Sequence, residues 1–342
     1  MAATGPEVWQ NAVVVEHHRI ADDIARIVVE VARPTRVEPG SHLDVRVQLP
    51  DGTFDTRSYS IVEGTGGGRR VALSVFRTAT SRGGSAFMHS LTVGDRLEVT
   101  QPMQNFPLRV GARRYLLIAG GIGVTALVGM AGTLHRLGAD YEIVYVGRSR
   151  SAMAYLAELG SAHGDWLRVH VDDEGSALSV PTLLDTVDAT TEVYMCGPIR
   201  LMDAVRRGFE QVGLPMANLR YETFGNSGWF AAQEFEVSVP RLGIRSVVQP
   251  GETMLEALER AGVDMMFDCR KGECGLCEVR ILGLTGVVDH RDVFYSRRQR
   301  EASARMCCCV SRVVGPQEHS PDDDPAPAGP SPARPLVVVD VS

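Results

Sequence analysis

The clearest chemistry in this chain lies in nine residues, Cys269-Arg-Lys-Gly-Glu-Cys274-Gly-Leu-Cys277. The spacing C-x4-C-x2-C is the plant-type [2Fe–2S] pattern, which requires a fourth thiolate further on. Three thiolates can converge from one loop only if it wraps tightly, and Gly272 and Gly275 give the backbone that freedom. N–H groups freed by the wrap can bond the sulfurs and help set the redox potential. The fourth ligand is one of three consecutive residues, Cys307, Cys308 or Cys309, and spacing leaves all three open. The competing readings are a zinc site or buried apolar cysteines. Of seven cysteines, only Cys196 lies outside the segment 269–309. A disulfide framework would spread them along a small secreted chain, so the clustering points to metal.

Two further stretches have spacing suited to cofactors. Gly120-Gly121-Ile122-Gly123-Val124-Thr125-Ala126 follows an apolar strand and opens a helix. Read from Gly121, it fits G-x-G-x-x-A, in which a pyrophosphate rests on a helix N-terminus. The acidic residue expected after the next strand is missing; Gly147-Arg148-Ser149-Arg150 stands there, and an arginine at that place suits a 2′-phosphate, hence NADPH. Cys196-Gly197-Pro198 ends another strand at the carboxyl edge where such folds bind ligands. In Arg57-Ser58-Tyr59-Ser60, an aromatic ring is flanked by hydroxyls and a guanidinium. That set suits a flavin, with the ring against isoalloxazine and the arginine on phosphate. Each of these has a bland alternative: a ligand-free turn, a solvated basic loop, a buried structural cysteine, an ordinary strand.

The elements that must position these residues change character along the chain. From about Asn11 to Arg109, short alternating segments such as Ile27–Val31 and Leu43–Val47 are punctuated by Glu38-Pro39-Gly40, Pro50-Asp51-Gly52 and Val93-Gly94-Asp95. Short strands with regular turns predict an antiparallel barrel. From Arg113 to Phe224, strands at 115–119, 141–146, 167–171 and 192–196 alternate with helical patterns at 125–137, 152–159 and 199–212. That alternation predicts a parallel sheet covered on both faces. Beyond Gly225-Asn226-Ser227-Gly228, a small α+β unit is expected, with a hairpin from 235–239 and 244–248 and a helix capped by Thr253. The Pro-, Ser- and Asp-rich stretch 315–335 cannot bury a core and is expected to be disordered, while 336–341 reads either as a loose end or a docking strand.

With 342 residues, 44% hydrophobic and 23% charged, the chain suits two or three ordinary globular domains. A net charge of −7 gives no global support to nucleic-acid binding. No apolar run reaches the roughly 20 residues of a membrane span, and residues 1–10 lack a secretory start, so a cytoplasmic protein is expected. Arg291, Arg297, Arg298, Arg300 and Arg305 make one late segment basic, either a solvated face or a docking face for an acidic acceptor.

Together these stretches resemble the ferredoxin–NADP reductase superfamily over roughly residues 11 to 314, and more closely its phthalate dioxygenase reductase and vanillate demethylase reductase group. Arg57-Ser58-Tyr59-Ser60 matches the family's R-x-Y-S flavin motif. Gly83, Gly84 and Ser85, within Arg82–His89, match its second flavin stretch, at the phosphate end of FMN. Gly120, Gly121, Gly123 and Thr125 match the G-G-I-G-[IV]-T nucleotide loop; Cys196-Gly197-Pro198 matches the nicotinamide-side turn. Tyr221-Glu222-Thr223-Phe224 is similar to the H-x-E-x-F ending whose aromatic lies over the flavin, although Arg220 replaces the usual His. In the family the cysteine before Val-Ser-Arg is the ligand, which selects Cys309 beside Cys269, Cys274 and Cys277.

The resemblance implies a flavin-binding antiparallel β-barrel (8–110), an α/β parallel-sheet NAD-binding domain (111–225) and a β-grasp plant-type ferredoxin domain (234–314), and composition places a linker at 226–233 and a disordered tail at 315–342. It favours FMN over FAD, and NADH over NADPH despite Arg148 and Ser149. Nicotinamide yields two electrons together and the cluster takes one at a time, so a flavin must mediate and no side chain need act as a covalent catalyst. The expected function is the reductase component of an oxygenase system, with a Rieske-type oxygenase or a cytochrome P450 as partner. The alternative is a nucleotide-binding iron–sulfur sensor without turnover.

Overall fold

The computed structural model describes residues 7–78, 83–224, 228–315 and 334–341. The chain forms two compact units, the first ending at Glu222 and the second beginning at Thr223.

In the first unit, strands β1 (Trp9–Ala21), β2 (Ile24–Val31), β3 (Ser41–Gln48), β4 (Phe54–Thr65), β5 (Arg70–Phe76) and β6 (Arg96–Thr100) pair antiparallel around a closed circuit. The order is β1-β2-β5-β4-β3-β6 and back to β1, the circuit closing between β3 and β6 at Val45 and Val99, with the short β7 (Met103–Gln104) added to β3. The alternation seen in the sequence is the barrel's inside and outside. On β3, Leu43, Val45 and Val47 are buried, whereas Asp44 and Arg46 point outward. Helix α1 (Gly84–Ser90) contributes the buried Met88 to the same core.

The chain then enters a five-stranded parallel sheet: β8 (Arg114–Gly120), β9 (Tyr141–Gly147), β10 (Leu167–Val171), β11 (Thr191–Cys196) and β12 (Leu219–Glu222), in the order β10-β9-β8-β11-β12. Helices α2 (Val124–Arg136), α3 (Leu156–His163), α4 (Val180–Leu184) and α5 (Ile199–Val212) lie between the strands in sequence. Strand β8 is central and buried from Tyr115 to Gly120, which is why it reads as a continuous apolar run. The order reverses between β8 and β11, and crevices form at such switch points.

Barrel and sheet are pinned together within this unit. Tyr155 holds a left-handed backbone (φ 61°) and its hydroxyl lies 2.5 Å from Ser74 Oγ and 3.2 Å from Arg26 Nη1. Asp22 N donates to Ser151 O at 2.7 Å. Expected domains 8–110 and 111–225 are therefore two layers of one unit up to Glu222.

The second unit is a mixed sheet in the order β14-β13-β19-β15-β17, from β13 (Phe235–Val239), β14 (Ile244–Val248), β15 (Glu278–Thr285), β17 (Arg305–Cys307) and β19 (Leu336–Asp340). Strands β16 (Val287–Asp289) and β18 (Arg312–Val314) form a separate ladder. Helix α6 (Met254–Arg260) starts with a capping box: Glu256 N donates to Thr253 Oγ1 (3.2 Å) and Thr253 N to Glu256 Oε2 (2.8 Å). Its Met254, Leu255 and Leu258 enter a core with Phe235, Val237, Val279, Val337 and Val339. A second short helix, α7 (Arg297–Ala302), precedes β17.

Two expectations are corrected here. The tail assigned to disorder over 315–342 contains β19, which lies mid-sheet, parallel to β13 and antiparallel to β15. Residues 316–333 lie outside the described residues. In the expected linker 226–233, residues 226 and 227 also lie outside them, but 228–233 is tied to the second unit. Trp229 N donates to Asp289 Oδ1 (3.0 Å), and Phe230 O and Gln233 O accept from Arg291 and Arg312 (3.0 Å each). Backbone groups held in this way make an ordered strap. Among the described residues, no helix is long and apolar enough to cross a membrane.

Candidate functional site

The cysteine loop is wound by three left-handed residues, Arg270 (φ 49°), Gly272 (φ 75°) and Gly275 (φ 76°). A Cβ on Gly272 would lie 2.6 Å from Val310 Cγ2 and 2.9 Å from Asp292 Cα, and one on Gly275 would enter the Phe294 ring at 2.3 Å. Only glycine allows both this φ and this approach. The winding aims the N–H groups of Lys271, Glu273 and Cys274 at Cys269 Sγ, at 3.4, 3.3 and 3.4 Å. With a hydrogen bond from the Cys309 side chain, these donors outweigh burial and bring the Cys269 thiol down to about 4. Bonds from Cys307 and Cys309 hold Cys277 at about 3, while burial leads in raising Cys274.

The consecutive cysteines differ. Cys309 reaches both Cys269 and Cys277, and Cys307 reaches Cys277. Cys308 is raised by burial and by the charge of Cys277. Cys269, Cys277 and Cys309 thus meet, with Cys274 joined to Cys269. A two-iron cluster needs four thiolates shared between two metals, and this loop presents negative sulfur to solvating N–H groups, as that group requires.

Thr223 is fastened to the same loop: its N donates to Glu273 Oε1 (3.0 Å), and its Oγ1 donates to Lys271 O (3.0 Å). Half-buried Phe224 follows directly, so the structure groups it with the cysteine loop.

At the switch point, two glycine turns touch backbone to backbone. A Cβ on Gly123 would lie 2.2 Å from Cys196 O, and one on Gly197 would lie 3.0 Å from Gly120 Cα. A Cβ on Gly120 would meet Pro198 Cδ at 2.7 Å. Gly121 (φ 52°) faces open space, and Thr125 Oγ1 closes the turn on Ile122 O at 2.9 Å. The structure thereby brings Gly120, Gly121, Gly123, Thr125, Cys196, Gly197 and Pro198 together at the start of α2. The space at Gly121 beside donor-bearing backbone fits a pyrophosphate. Arg148 and Ser149 follow β9; Arg148 is exposed, whereas Arg150 is held by Glu174 through two bonds of 2.7 and 2.9 Å.

On the barrel wall, Arg57 lies against Gly84, where a Cβ would be 3.0 Å from its Cγ and Nε. Its Nη1 pairs with Asp55 and donates to Thr56 O (2.8 Å), but Nη2 is buried with no partner among the described residues. A buried orphan cation donor beside the Gly83-Gly84-Ser85 turn fits a phosphate. Ser85 Oγ accepts from Thr78 N at 3.3 Å. Tyr59 packs on the barrel core and burial pushes its hydroxyl up. Ser58 donates to Asp44 (2.5 Å), and Ser60 donates to buried Glu222 Oε2 (3.0 Å), 162 positions away. Glu222 is the acid of the H-x-E-x-F-like ending, for which the sequence indicates no partner; the structure supplies Ser60. Arg82 lies outside the described residues.

The late arginines carry local ion pairs. Arg291 pairs with Asp289 (2.7 Å), Arg297 with Glu301 (2.5 Å), Arg300 with Asp292 (3.8 Å) and Arg305 with Glu278. Four of the five arginines thus have a carboxylate within 4 Å.

A cysteine loop in one unit and a nucleotide crevice in the other define a modular redox protein. Residues 239–314 match the family model described as 2Fe-2S iron-sulfur cluster binding domain. A putative toluene-4-sulfonate monooxygenase system reductase subunit of Comamonas testosteroni is 37% identical over 81% of this chain and 86% of its own length. Among solved structures, phthalate dioxygenase reductase, described as a modular structure for electron transfer from pyridine nucleotides to [2Fe–2S], is 26% identical with a TM-score of 0.68, covering 97% of this chain and 98% of that one. An intact type IV self-sufficient cytochrome P450 monooxygenase is 33% identical with a TM-score of 0.63, covering 97% of this chain but 41% of its own. The chain belongs to the phthalate dioxygenase reductase group of the ferredoxin–NADP reductase superfamily, the electron-transfer reductase components of oxygenase systems.

Proposed function

We propose that this chain carries electrons from NADH through FMN and a [2Fe–2S] cluster to a terminal oxygenase, either a Rieske-type protein or a cytochrome P450. The observation that carries this reading is the convergence of three backbone N–H groups on Cys269 Sγ, with Cys309 within hydrogen-bonding reach of both Cys269 and Cys277. When bound, these groups convert a two-electron donor into one-electron deliveries, with the flavin as the exchange point.

The roles of the chain's own residues follow from their geometry. Cys269, Cys274, Cys277 and Cys309 would hold the cluster, and the loop N–H groups would offset its negative charge. Arg57, with Gly83, Gly84 and Ser85, would hold the flavin phosphate; Tyr59 would lie against the ring. Ser58 and Ser60 flank it, Ser60 being fixed by Glu222. Gly120, Gly121, Gly123 and Thr125 would seat the nicotinamide pyrophosphate, and Cys196-Gly197-Pro198 would set the depth of the nicotinamide ring. Engagement of Arg150 by Glu174 removes one cation from the 2′-phosphate position and supports NADH, leaving Arg148 and Ser149 to the ribose side.

Anaerobic purification followed by chemical analysis is expected to find about two iron, two sulfide and one flavin per chain. NADH should bleach the flavin and then the cluster absorbance, and support cytochrome c reduction with a higher kcat/KM than NADPH. A colourless protein that cannot be reconstituted would end the proposal.

A further inference from the structure

The chain spends three consecutive buried cysteines where a cluster needs one thiolate, and their surroundings are not equivalent. Strand β17 ends at Cys307, which is paired across the ladder with Glu278, the neighbour of Cys277. The N–H groups of Val310 and Ser311 both donate to Cys307 O, at 3.4 and 3.0 Å, so the backbone turns sharply on that residue. Cys308 N is spent on Cys277 O (3.1 Å), and Cys308 O accepts from Leu255 N on α6 (3.1 Å). This fixes Cys308 between the loop and the helix. The side chains of Cys307 and Cys309, two positions apart across the turn, both lie within hydrogen-bonding reach of Cys277 Sγ. All three are buried in one core with Cys277.

Resting on the cluster assignment above, we propose that Cys307 is a reserve ligand: it would supply the fourth thiolate, beside Cys277, when Cys309 is lost, and Cys308 would not. The exchange is thiolate for thiolate. The Cys307 S–H loses its proton to solvent as its sulfur bonds iron, and no electron is transferred. Only the turn following β17 has to move, because Cys307 already stands beside Cys277. Cys308 has no such route, since its backbone is held on both sides.

The test compares four full-length proteins purified side by side without oxygen: wild type, Cys309→Ala, Cys307→Ala/Cys309→Ala and Cys308→Ala/Cys309→Ala. Iron, sulfide and the electron paramagnetic resonance spectrum of the dithionite-reduced protein are measured in each. The single variant and the Cys308 double variant should keep about half or more of the wild-type iron, with altered g-values. The Cys307 double variant should fall about tenfold or more. Flavin content and a melting curve report folding, and Cys309→Ser serves as a near-isosteric second variant should alanine fail to fold. An empty single variant beside a loaded wild type overturns the reserve-ligand role alone, as do two double variants holding equal iron. An empty wild type overturns the cluster assignment, and the inference with it.

Discussion

Replacing Gly123 by alanine tests the contact on which the nucleotide crevice depends. The backbone there (φ −59°, ψ −15°) suits any L-residue, so the substitution adds no torsional strain. What it adds is a methyl group 2.2 Å from Cys196 O, 2.5 Å from its carbonyl carbon and 2.8 Å from Gly197 N. All three are backbone atoms at the end of β11 and cannot swing aside. Relief requires the two turns to part, against a ladder that pairs Cys196 with Ala119 and Met195 with Ile118. Overpacking of this kind costs about 1–3 kcal/mol, and backbone contact places it at the upper end. Since 1.4 kcal/mol is tenfold, the KM for NADH should rise about 10- to 100-fold if the distortion falls on binding. The melting temperature should drop by about 4–10 °C, at roughly 2–4 °C per kcal/mol. Gly132→Ala, further along α2 and 3.5 Å from only Arg136 Nη1, is the control; it should stabilise by up to about 1 kcal/mol and leave KM alone. Anaerobic flavin bleaching by NADH and a thermal melt supply both readouts. A Gly123→Ala protein with wild-type melting and KM would refute the contact. Lost stability with an unchanged KM would keep the contact and move the nucleotide elsewhere.

Three other perturbations have definite expectations. Arg57→Ala should weaken flavin retention about 10- to 100-fold, because a charge-assisted bond is worth about 1.5–3 kcal/mol; Arg57→Lys should recover only part, as measured by flavin titration of the stripped protein. Asp289→Ala leaves Arg291 buried without its carboxylate and frees Trp229 N, so the second unit should lose about 3–5 kcal/mol in denaturant titrations of cluster absorbance. Flavin bleaching by NADH should survive this change. For buried Asp292, desolvation raises the pKa, but bonds from His290 and Tyr295 N and the charge of Arg300 outweigh it and set it below the ordinary value. A depressed folded pKa stabilises above the unfolded value and loses that contribution as pH falls through the folded one, so the window lies below about pH 4. Asp292→Asn should flatten the acid limb of the stability curve there; an unchanged slope in pH-dependent melting curves would count against this role.

Local chemistry was legible in the sequence, and long-range pairing was not. The cysteine loop and the glycine turn are short windows whose φ angles and donors are set by residues a few positions apart, so spacing revealed them. The alternation on β3 announced a strand, but closure of the barrel depends on β3 meeting both β4 and β6, which no local pattern encodes. Strand β19 is five residues with alternate burial, standing beyond a Pro- and Asp-rich stretch. Its partners β13 and β15 supply the reason it folds, and both lie far back in the chain. Over residues 228–233, the linker expected at 226–233 is a strap because Asp289, Arg291 and Arg312 satisfy its backbone. The late arginines stand out in the sequence as a basic run, and their pairing with Glu278, Asp289, Asp292 and Glu301 depends on the fold.

The cysteine triplet shows where spacing stops deciding and backbone geometry takes over. In an extended strand, alternate side chains share a face, so residues 307 and 309 would point together and 308 away. The chain here does not stay extended: it turns on the carbonyl of Cys307, which accepts two N–H groups. The turn keeps Cys309 within reach of both Cys269 and Cys277 and leaves Cys307 beside Cys277. A ligand is therefore chosen by which sulfur touches both halves of the loop, a condition that Cys309 meets. Cys307 meets half of it, which is the structural basis for its role as a substitute.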